Sequence, residues 1–478
     1  MTIGDISVHM EQKPTLETIT ALAKRRGFVY PTSEIYGGMT SSYDYGPLGA
    51  ELLRNIRNIW WEEMVSKRPD VVGLDSQILL HPQTWVASGH VEAFTDPLVE
   101  DRVTHRRYRA DHLIENWLQE NPDAEPVEVE GLDIGDMARL IERLGIESPE
   151  GNPVTAPRHF NIMFETAIGA VAGEKARVYL RGETAQGIFT NFKQILDSTR
   201  VTLPFGIAQI GKSFRNEITT GQFVFRTLEF EQAEIEYFFD PEQMKWQTLF
   251  EGWKEMMWRF VVQTLGVREE NLRWRRHMDR ERSHYSHETV DLDYAFPFGY
   301  KELWGLAYRT DYDLRQHQEH AGAKLEYTDP YTGRRFVPHV IEPAAGINRF
   351  FLMLLCDAYW EDADNQRTVL RFKPSLAPYK AAVFPLLKNR LELVQKAREV
   401  FDLVSPEMAT TWDERGNIGK RYYYQDEIGT PFCITVDFDT LEDDTVTVRD
   451  RDTTEQVRVE VSELVGYLEG RIGRRCRC

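Results

Sequence analysis

Apolar positions recur along the chain at two spacings, which separate helical from extended segments. Helical spacing over residues 50–65 follows Pro47 and Gly49, two residues that suit a helix entry, and predicts an amphipathic helix. Alternating spacing over residues 205–217 and 223–239 flanks a polar, glycine-containing segment. This arrangement predicts a β-hairpin whose two arms pair antiparallel.

Residues 340–358 have the pattern of a strand, a turn and a helix. The apolar strand is expected to end at Glu342, the chain to turn at Pro343 and Gly346, and a helix with one apolar face to follow. Arg349 falls in the first helical turn, where the helix dipole opposes a cation by about 0.3–1 kcal/mol. A bound anion would offset that cost, although a solvent-facing arginine explains the pattern as well.

Composition changes twice along the chain and suggests an insert and a second domain. Residues 113–150 hold eleven acidic residues against two arginines. We interpret residues 97–158, approximately, as an inserted subdomain, with a mobile acidic loop as the alternative. Near residues 371–378 the core pattern stops, and strands and a helix alternate beyond this linker. We therefore predict a larger domain over residues 1–372 and a smaller α/β domain over residues 376–478.

Charge and cysteine content exclude several classes of protein. The 478 residues carry a net charge of −19, which excludes a uniformly basic nucleic-acid binder but not local basic patches. Three basic runs, residues 102–109, 273–276 and 471–477, are candidates for phosphate contacts or are simply solvated surface. Four cysteines are too few for a disulfide framework, no apolar run reaches the roughly 18 residues of a membrane span, and the N-terminus lacks a signal-peptide core. We expect a cytoplasmic protein that contacts no membrane.

The second arm of the predicted hairpin carries charged residues where a strand usually carries apolar ones. If the alternation holds, one face presents Arg226, Leu228, Phe230, Gln232, Glu234 and Glu236. Arg215 and Glu217 end the first arm near the same turn. Because arginine binds phosphate and an aromatic ring stacks on a base, this face suits a nucleotide. A half-solvated sheet with cross-strand ion pairs is the alternative.

Residues 298–313 place charged residues among aromatic and small ones, which suggests either the wall of a pocket or a surface loop. Glu302 is the candidate carboxylate ligand for a metal ion in this segment. The cysteines and histidines lack the spacing of a zinc site, so no zinc is expected.

Several of these segments resemble the motifs of class II aminoacyl-tRNA synthetases. Residues 214–217 (FRNE) and 225–236 (FRTLEFEQAEIE) resemble motif 2, and residues 340–349 (VIEPAAGINR) resemble motif 3. Residues 33–49 (SEIYGGMTSSYDYGPLG) look like motif 1 of the glycyl-tRNA synthetases, and the resemblance continues in order over nearly the whole chain. It implies an α/β fold with a six-stranded antiparallel sheet flanked by helices and a C-terminal α/β anticodon-binding domain. It also implies a homodimer built around motif 1.

The resemblance further implies an activity and the residues that carry it. Glycine would be activated with ATP and Mg²⁺ and then transferred to the 3′-terminal adenosine of tRNA(Gly). The residues implied for catalysis are Arg215, Glu217 and Arg349. Those implied for ATP are Arg215, Asn216, Glu217, Phe225, Arg226, Phe230, Glu302, Leu303, Gly346 and Arg349, with Glu302 as the ligand of Mg²⁺. Those implied for glycine are Arg109, Glu183, Phe230, Glu234, Arg309, Glu342, Ala344 and Gly346.

The chain departs from the family pattern at positions expected at or beside the amino-acid pocket. Gly182 replaces a usual proline, Ala344 a usual serine, and Trp304 and Tyr308 replace a glutamate and an asparagine. Two alternatives therefore stay open. One is a diverged paralogue that forms an adenylate with another small amino acid, resists an inhibitor or uses another acceptor. The other is a tRNA-binding protein that has lost catalysis.

Overall fold

The computed structural model describes residues 13–129, 131–169, 176–217, 222–278 and 286–473. Its α-helices are α1 (Leu16–Arg26), α2 (Pro47–Trp61), α3 (Pro82–Ala87), α4 (His90–Ala93), α5 (Ala110–Glu120), α6 (Ile134–Leu144), α7 (Ala185–Ser198), α8 (Trp246–Arg259), α9 (Tyr312–Ala321), α10 (Ile347–Ala358), α11 (Leu391–Val404), α12 (Ile418–Ile428), α13 (Phe438–Asp443) and α14 (Leu464–Ile472). Its strands are β1 (Val29–Pro31), β2 (Tyr43–Tyr45), β3 (Val71–Gly73), β4 (Thr95–Glu100), β5 (Arg107–Arg109), β6 (Arg158–Asn161), β7 (Glu165–Ile168), β8 (Ala176–Tyr179), β9 (Phe205–Phe214), β10 (Glu229–Phe239), β11 (Leu272–Arg276), β12 (Glu288–Phe296), β13 (Gly299–Thr310), β14 (Tyr327–Thr328), β15 (Arg335–Phe336), β16 (His339–Gly346), β17 (Tyr359–Asp362), β18 (Arg367–Leu370), β19 (Ala381–Pro385), β20 (Thr410–Trp412), β21 (Phe432–Val436), β22 (Thr445–Asp450) and β23 (Gln456–Glu460). Within these ranges, none of the helices combines the length and apolar character needed to cross a membrane.

The largest sheet has seven strands in the order β11–β12–β13–β16–β10–β9–β3. Six of them pair antiparallel, which confirms the sheet that the resemblance implies. The seventh, β3, pairs parallel with β9 through residues 206–208 and forms one edge of the sheet. This short edge strand is an addition that the sequence did not predict.

The predicted hairpin forms, but its second arm is shorter than the alternation indicates. β9 and β10 pair antiparallel from Phe214 opposite Glu229 to Phe205 opposite Phe238. Residues 223–225 form a single turn of 3₁₀ helix, so Arg226 and Leu228 precede the strand and do not share its face. Part of the predicted turn, residues 218–221, lies outside the described residues. The strand predicted to end at Glu342 is also longer, because β16 continues to Gly346 without turning at Pro343.

The two faces of the large sheet are covered differently, and this difference creates the site. On one face α2 and α10 pack over apolar side chains of β10, and α2 buries Ile56 and Trp60 completely, as its helical spacing predicts. On the other face α7 and α9 cover the sheet around Phe205 and Phe238. The rest of that second face is open.

The acidic segment after β4 is packed rather than extended. β4 pairs with β5 and β6, and α5 and α6 enclose an apolar core formed by Val99, Ala110, Ile114, Met137 and Ile141 among others. Its acidic residues therefore lie mostly on the outer surface of a small folded unit. The boundaries at about 97 and 158, like the division at residues 372 and 376, stay predictions.

The C-terminal domain is α/β, as predicted. Its five strands lie in the order β20–β19–β21–β22–β23, with the first three parallel and the last two antiparallel. Asp426 on α12 is fully buried and is bound by two arginines. Arg449 on β22 donates to both carboxylate oxygens at 2.8 and 3.0 Å, and Arg367 on β18 donates to one of them at 2.8 Å. This network ties the C-terminal domain to the strand that precedes the linker.

Candidate active site

A cavity of about 270 Å³ lies on the open face of the large sheet. Strands β10, β12, β13 and β16 and the start of α10 form its walls. Most of the side chains that the resemblance implies line it: Glu183, Arg215, Glu217, Phe225, Arg226, Phe230, Glu234, Glu302, Glu342, Ala344, Gly346 and Arg349. The fold therefore brings these residues together, while their individual roles stay predictions.

Arg215, directly after β9, contacts two aromatic rings. Its guanidinium carbon lies 5.0 Å from the centre of the Phe94 ring and 5.2 Å from that of the Phe230 ring. Its Nε donates to the carbonyl oxygen of Gly182 at 3.1 Å. These contacts hold the guanidinium at the cavity wall and leave its other N–H groups able to bind an anion.

Arg349 is the third residue of α10, in the helical turn where the sequence predicts it. Its guanidinium carbon lies 4.5 Å above the centre of the Phe225 ring, and its Nη1 lies 2.9 Å from the Glu302 carboxylate. A Cβ on Gly346 would lie 3.2 Å from the Arg349 side chain, so this glycine leaves the space that the arginine occupies. Burial disfavours the charged form of Glu302, but Arg349 more than compensates and holds the pKa of this carboxyl below its usual value.

Arg226 and Glu217 form a looser pair on the cavity wall. The Arg226 Nε lies 3.8 Å from the Glu217 Oε2. Among the described residues, that Oε2 and the Arg226 Nη1 are buried without a hydrogen-bond partner, and burial lowers the pKa of Arg226. Because buried polar atoms are normally hydrogen-bonded, these two atoms are the kind that a ligand satisfies.

Acidic side chains from three separate elements converge at the other end of the cavity. Carboxylate oxygens of Glu234 and Glu236 on β10 and of Glu342 on β16 lie within 4.8 Å of one another. The Thr184 hydroxyl donates to Glu234. Glu183 lies just before α7, with its Oε2 3.3 Å from a ring nitrogen of His90.

Crowding changes the ionisation of these acids. Burial, together with Glu342, raises the pKa of Glu234 to about 8 and that of Glu236 well above its usual value. Burial also raises the pKa of Glu342. Burial acts in the same direction on Glu183, but His90 and Arg309 outweigh it and lower the pKa of that carboxyl. The protonated forms of Glu234, Glu236 and Glu342 are thus favoured at this end of the cavity, and a bound cation would favour their charged forms.

Arg309 lies behind these acids and does not line the cavity. It is 1 % exposed and donates to both oxygens of Asp313 at 2.8 Å and to one oxygen of Glu342. Its Nη2 lies 4.0 Å from Glu183. The resemblance implies a role at the glycine carboxylate, whereas this geometry makes Arg309 the counter-ion that orients the acids.

Arg109 and Asn216 lie beside the cavity and not in its wall. Arg109 is bound by Asp96 at 2.8 Å and by Asp111 at 2.6 Å. The backbone N–H of Asn216 donates to the carbonyl oxygen of Ile162 at 2.8 Å. Arg109 is thus bound by acids of the insert and its first strand, whereas Asn216 attaches the base of the insert to the neighbourhood of Arg215.

Leu303, Trp304 and Tyr308 also face away from the cavity. Asp293 pairs with Glu302 and Leu292 with Trp304, so Leu303 is the extra residue of a β-bulge. Leu303 and Trp304 are completely buried in the apolar core. The Tyr308 ring stacks on that of Trp246, with 4.8 Å between the ring centres. The side chains of these three residues therefore do not line the cavity, whereas Ala344 does, and their roles at the substrate stay predictions.

Two carboxylates converge above Gly305 in the β13 wall. A Cβ built on this glycine would lie 3.6 Å from Asp291 Oδ1 and 3.7 Å from Glu302 Oε1. His277 Nε2 lies 2.8 Å from Asp291 Oδ2, and burial followed by the charge of Glu302 raises the pKa of Asp291. Paired carboxylate oxygens over a position without a side chain fit a hard divalent cation such as Mg²⁺.

Several residues of the cavity wall were not predicted, among them Thr227, His277 and Asp291. Asp291 had a detectable signal, because it is an acid in a strand-like run, the same feature that singles out the glutamates of β10. The other two are ordinary polar residues whose position depends on strand order, which the sequence does not reveal.

The basic runs are largely neutralised by acids. Arg106 is bound by Glu150 at 2.7 Å, and Arg276 by Glu288 at 2.6 Å. Arg275 pairs with Asp291 at 2.6 Å in the same way. Paired arginines of this kind favour the alternative of solvated surface over that of phosphate contacts. The third run continues beyond residue 473, outside the described residues.

Comparisons with known proteins agree with this geometry. A family model described as an anticodon binding domain matches residues 380–471. The chain is 50 % identical to the glycine–tRNA ligase of Acetivibrio thermocellus over 97 % of this chain and 99 % of that protein. It is 49 % identical to the enzyme of the same name from Staphylococcus haemolyticus, over 96 % of this chain and 99 % of that protein. For the one from Bacillus cereus the identity is 50 %, over 96 % of this chain and 99 % of that protein.

Proposed function

We propose, from the premise that this chain belongs to the glycine–tRNA ligase family, that it activates glycine with ATP and transfers it to the 3′-terminal adenosine of tRNA(Gly). The observation that carries the proposal is one cavity with arginines at one end and buried acids at the other. The first end suits a triphosphate and the second an ammonium group. Amino-acid activation requires both to lie side by side.

Activation joins two anions, because the glycine carboxylate attacks the α-phosphate. Catalysis then consists largely of charge neutralisation and alignment. Arg215 is proposed to hold the α-phosphate, and Arg226, with its unsatisfied Nη1, another phosphate oxygen. Phe230, whose ring also contacts Arg215, is proposed to stack on adenine, and Arg349, which contacts the Phe225 ring, is proposed to flank the base.

Mg²⁺ would be held by Glu302 and Asp291, the two carboxylates that converge above Gly305. When bound, the ion would neutralise charge on the phosphates of ATP. The pair lies near Arg349, which supports a metal site at the end of the cavity proposed for the triphosphate. The surrounding arginines would then orient the nucleotide with respect to the acidic end.

Glycine offers only an ammonium and a carboxylate to recognise. Glu183, Glu234 and Glu342 are proposed to surround the ammonium, with Arg309 holding two of them in place from behind. An ammonium group beside Glu234 would favour the charged form of this carboxyl and so oppose the burial and the neighbouring acids that raise its pKa. Side chains larger than hydrogen would be excluded by the cavity wall near Ala344.

The C-terminal domain is proposed to contact the anticodon loop of the tRNA, in line with the model that matches residues 380–471. A homodimer is proposed as well, because the motif 1 segment exposes Ile35 (88 %), Tyr36 (86 %) and Met39 (56 %). Grouped exposed apolar side chains mark interfaces. Light scattering should then give twice the mass of the chain. The proposed compartment is the cytoplasm.

The proposal is tested by exchange of labelled pyrophosphate into ATP with the purified protein. Glycine, alanine, serine and β-alanine are compared at equal concentration, followed by charging of tRNA(Gly). We expect exchange with glycine and much less with the others. A second candidate, an enzyme for another small amino acid, is favoured by Ala344, which lines the cavity in place of the usual serine. Preference for another amino acid would establish that candidate, and no exchange with any of them would refute both.

A further inference from the structure

The two ends of the acidic insert meet directly beside Arg215. Phe94 precedes β4, where the insert begins, and Ile162 follows β6, where it ends. The Ile162 N–H donates to the Phe94 carbonyl oxygen at 3.1 Å, and the Ile162 carbonyl oxygen accepts from the Asn216 N–H at 2.8 Å. The base of the insert is therefore bonded to the residue that follows Arg215 in the chain.

The side chain of Phe94 makes the second connection. Its ring centre lies 5.0 Å from the Arg215 guanidinium carbon. A Cβ on Gly182 would lie only 2.9 Å from the ring, so Phe94 is packed directly against the residue whose carbonyl oxygen accepts from the Arg215 Nε. On its other side the ring contacts His90, with 4.9 Å between ring centres. Phe94 is thus held in position by its surroundings while its face contacts the arginine.

We propose that Phe94 is a positioning residue for amino-acid activation, which fixes the guanidinium of Arg215 through its ring. The inference rests on the proposed function, in which Arg215 binds the α-phosphate. A cation over an aromatic face is held by the charge distribution of the ring, an interaction that an aliphatic side chain of similar size does not supply. A freely rotating arginine would spend much of its time outside the productive geometry.

The test compares variants at position 94 in glycine-dependent pyrophosphate exchange. Phe94→Leu removes the ring and keeps an apolar side chain, and we expect kcat to fall by about tenfold with KM for glycine little changed. Phe94→Tyr keeps the ring and should retain most of kcat. Val91→Ala is the matched control, since Val91 packs in the same small cluster of apolar side chains, beside Trp85 and Met163, and makes no contact with Arg215. Phe94→Met serves if the leucine variant unfolds, as judged by its melting temperature.

A positioning role acts through Arg215, so it can be separated from a general effect on folding. In an Arg215→Gln background, which has no cation over the ring, Phe94→Leu should lower the residual kcat less than in the wild-type background. The inference is wrong if Phe94→Leu keeps the wild-type kcat, if Phe94→Tyr loses as much as Phe94→Leu, or if Val91→Ala has the same effect. Those results are distinct from failure of the proposed function, in which the wild-type protein itself shows no exchange with glycine.

Discussion

Two groups of buried acids in this molecule differ in how completely arginines bind their carboxylates. In the C-terminal domain, Asp426 is completely buried, and two arginines donate to its carboxylate. At the cavity, carboxylate oxygens of Glu234 and Glu342, which line it, and of Glu236, which is completely buried and does not, lie within 4.8 Å of one another. Arg309 donates to Glu342 of this group, and it also donates to Asp313. Among the described residues, neither oxygen of Glu236 has a hydrogen-bond partner.

The difference separates an acid that stabilises the structure from acids that await a ligand. A buried carboxylate with a full set of donors is expensive to disrupt, because removing it leaves charged partners unpaired. Crowded acids with too few donors reduce stability and are retained where a cation from outside completes the set. The C-terminal network should therefore respond to mutation in stability, and the cavity in activity.

The largest expected effect is on the cavity side of this comparison. Arg215→Ala removes the guanidinium proposed for the α-phosphate, and we expect exchange activity to fall by about 10³-fold or more. The melting temperature should hardly change, because Arg215 makes few contacts that the fold needs. Activity and thermal unfolding are measured on the same preparation. A coincident loss of the unfolding transition would make Arg215 structural and remove the contrast.

In the C-terminal domain, the corresponding substitution should lower stability. Asp426→Ala leaves the buried guanidinium of Arg449 without its carboxylate and removes one of the two carboxylates that bind Arg367, which should lower the free energy of unfolding by about 3–5 kcal/mol. Glu399→Ala is the control, because this exposed acid pairs with Lys396 at the surface of the same domain and its loss should cost about 1 kcal/mol or less. Urea denaturation measures both. Equal effects of the two substitutions would show that burial does not distinguish them.

The smallest expected effect is a change in the pH dependence of stability, caused by Glu234 in the cavity. Burial and Glu342 hold a proton on Glu234 up to about pH 8, whereas the unfolded chain releases it near its usual pKa of 4.5. The stability that this proton supplies is lost as the pH rises from about 5 through 8. The glutamine of Glu234→Gln cannot ionise. When the pH is raised from 6 to 8, the free energy of unfolding of this variant should therefore fall by about 1–3 kcal/mol less than that of the wild type.

Unfolding in urea at the two pH values measures this difference. Glu229→Gln is the matched control, since Glu229 lies on the same strand but is exposed and paired with Lys212. Its pH dependence should equal that of the wild type. If Glu234→Gln also follows the wild-type curve, the acidic end of the cavity does not hold the proton assigned to it.

Much of the central sheet and of the candidate site was predictable from the sequence, because the alternation of a strand and the presence of acids within it are visible in a short segment of chain. The alternation of residues 205–239 predicted the central hairpin, and glutamates in a strand indicated the site. β3 was not predicted, because three residues are too few to show a period. The strand-like residues 223–225 form a 3₁₀ turn that the same alternation does not distinguish from a strand.

The errors within the site have a common physical origin in the tertiary structure. The bulge at Leu303 moves Trp304 from the cavity face to the core, although simple alternation from Glu302 places it beside the substrate. Arg309 was expected to act on the glycine substrate, but a sequence does not tell whether a cation binds a substrate or, as here, its own acidic neighbours. Phe94 lies far from Arg215 along the chain, so no local pattern connects them.

The parallel strand β3 has a consequence for how the molecule meets its neighbours. It bonds to the outer side of β9 at residues 206–208, the Leu74 N–H continues the ladder to Ala208, and Arg181 binds the backbone of Lys212 and Phe214 beyond it. The free N–H and C=O groups that invite strand addition and aggregation are thereby occupied along β9. Another polypeptide is thus prevented from pairing directly with β9, the strand leading to Arg215, and the edge of the sheet is reduced to the three residues of β3.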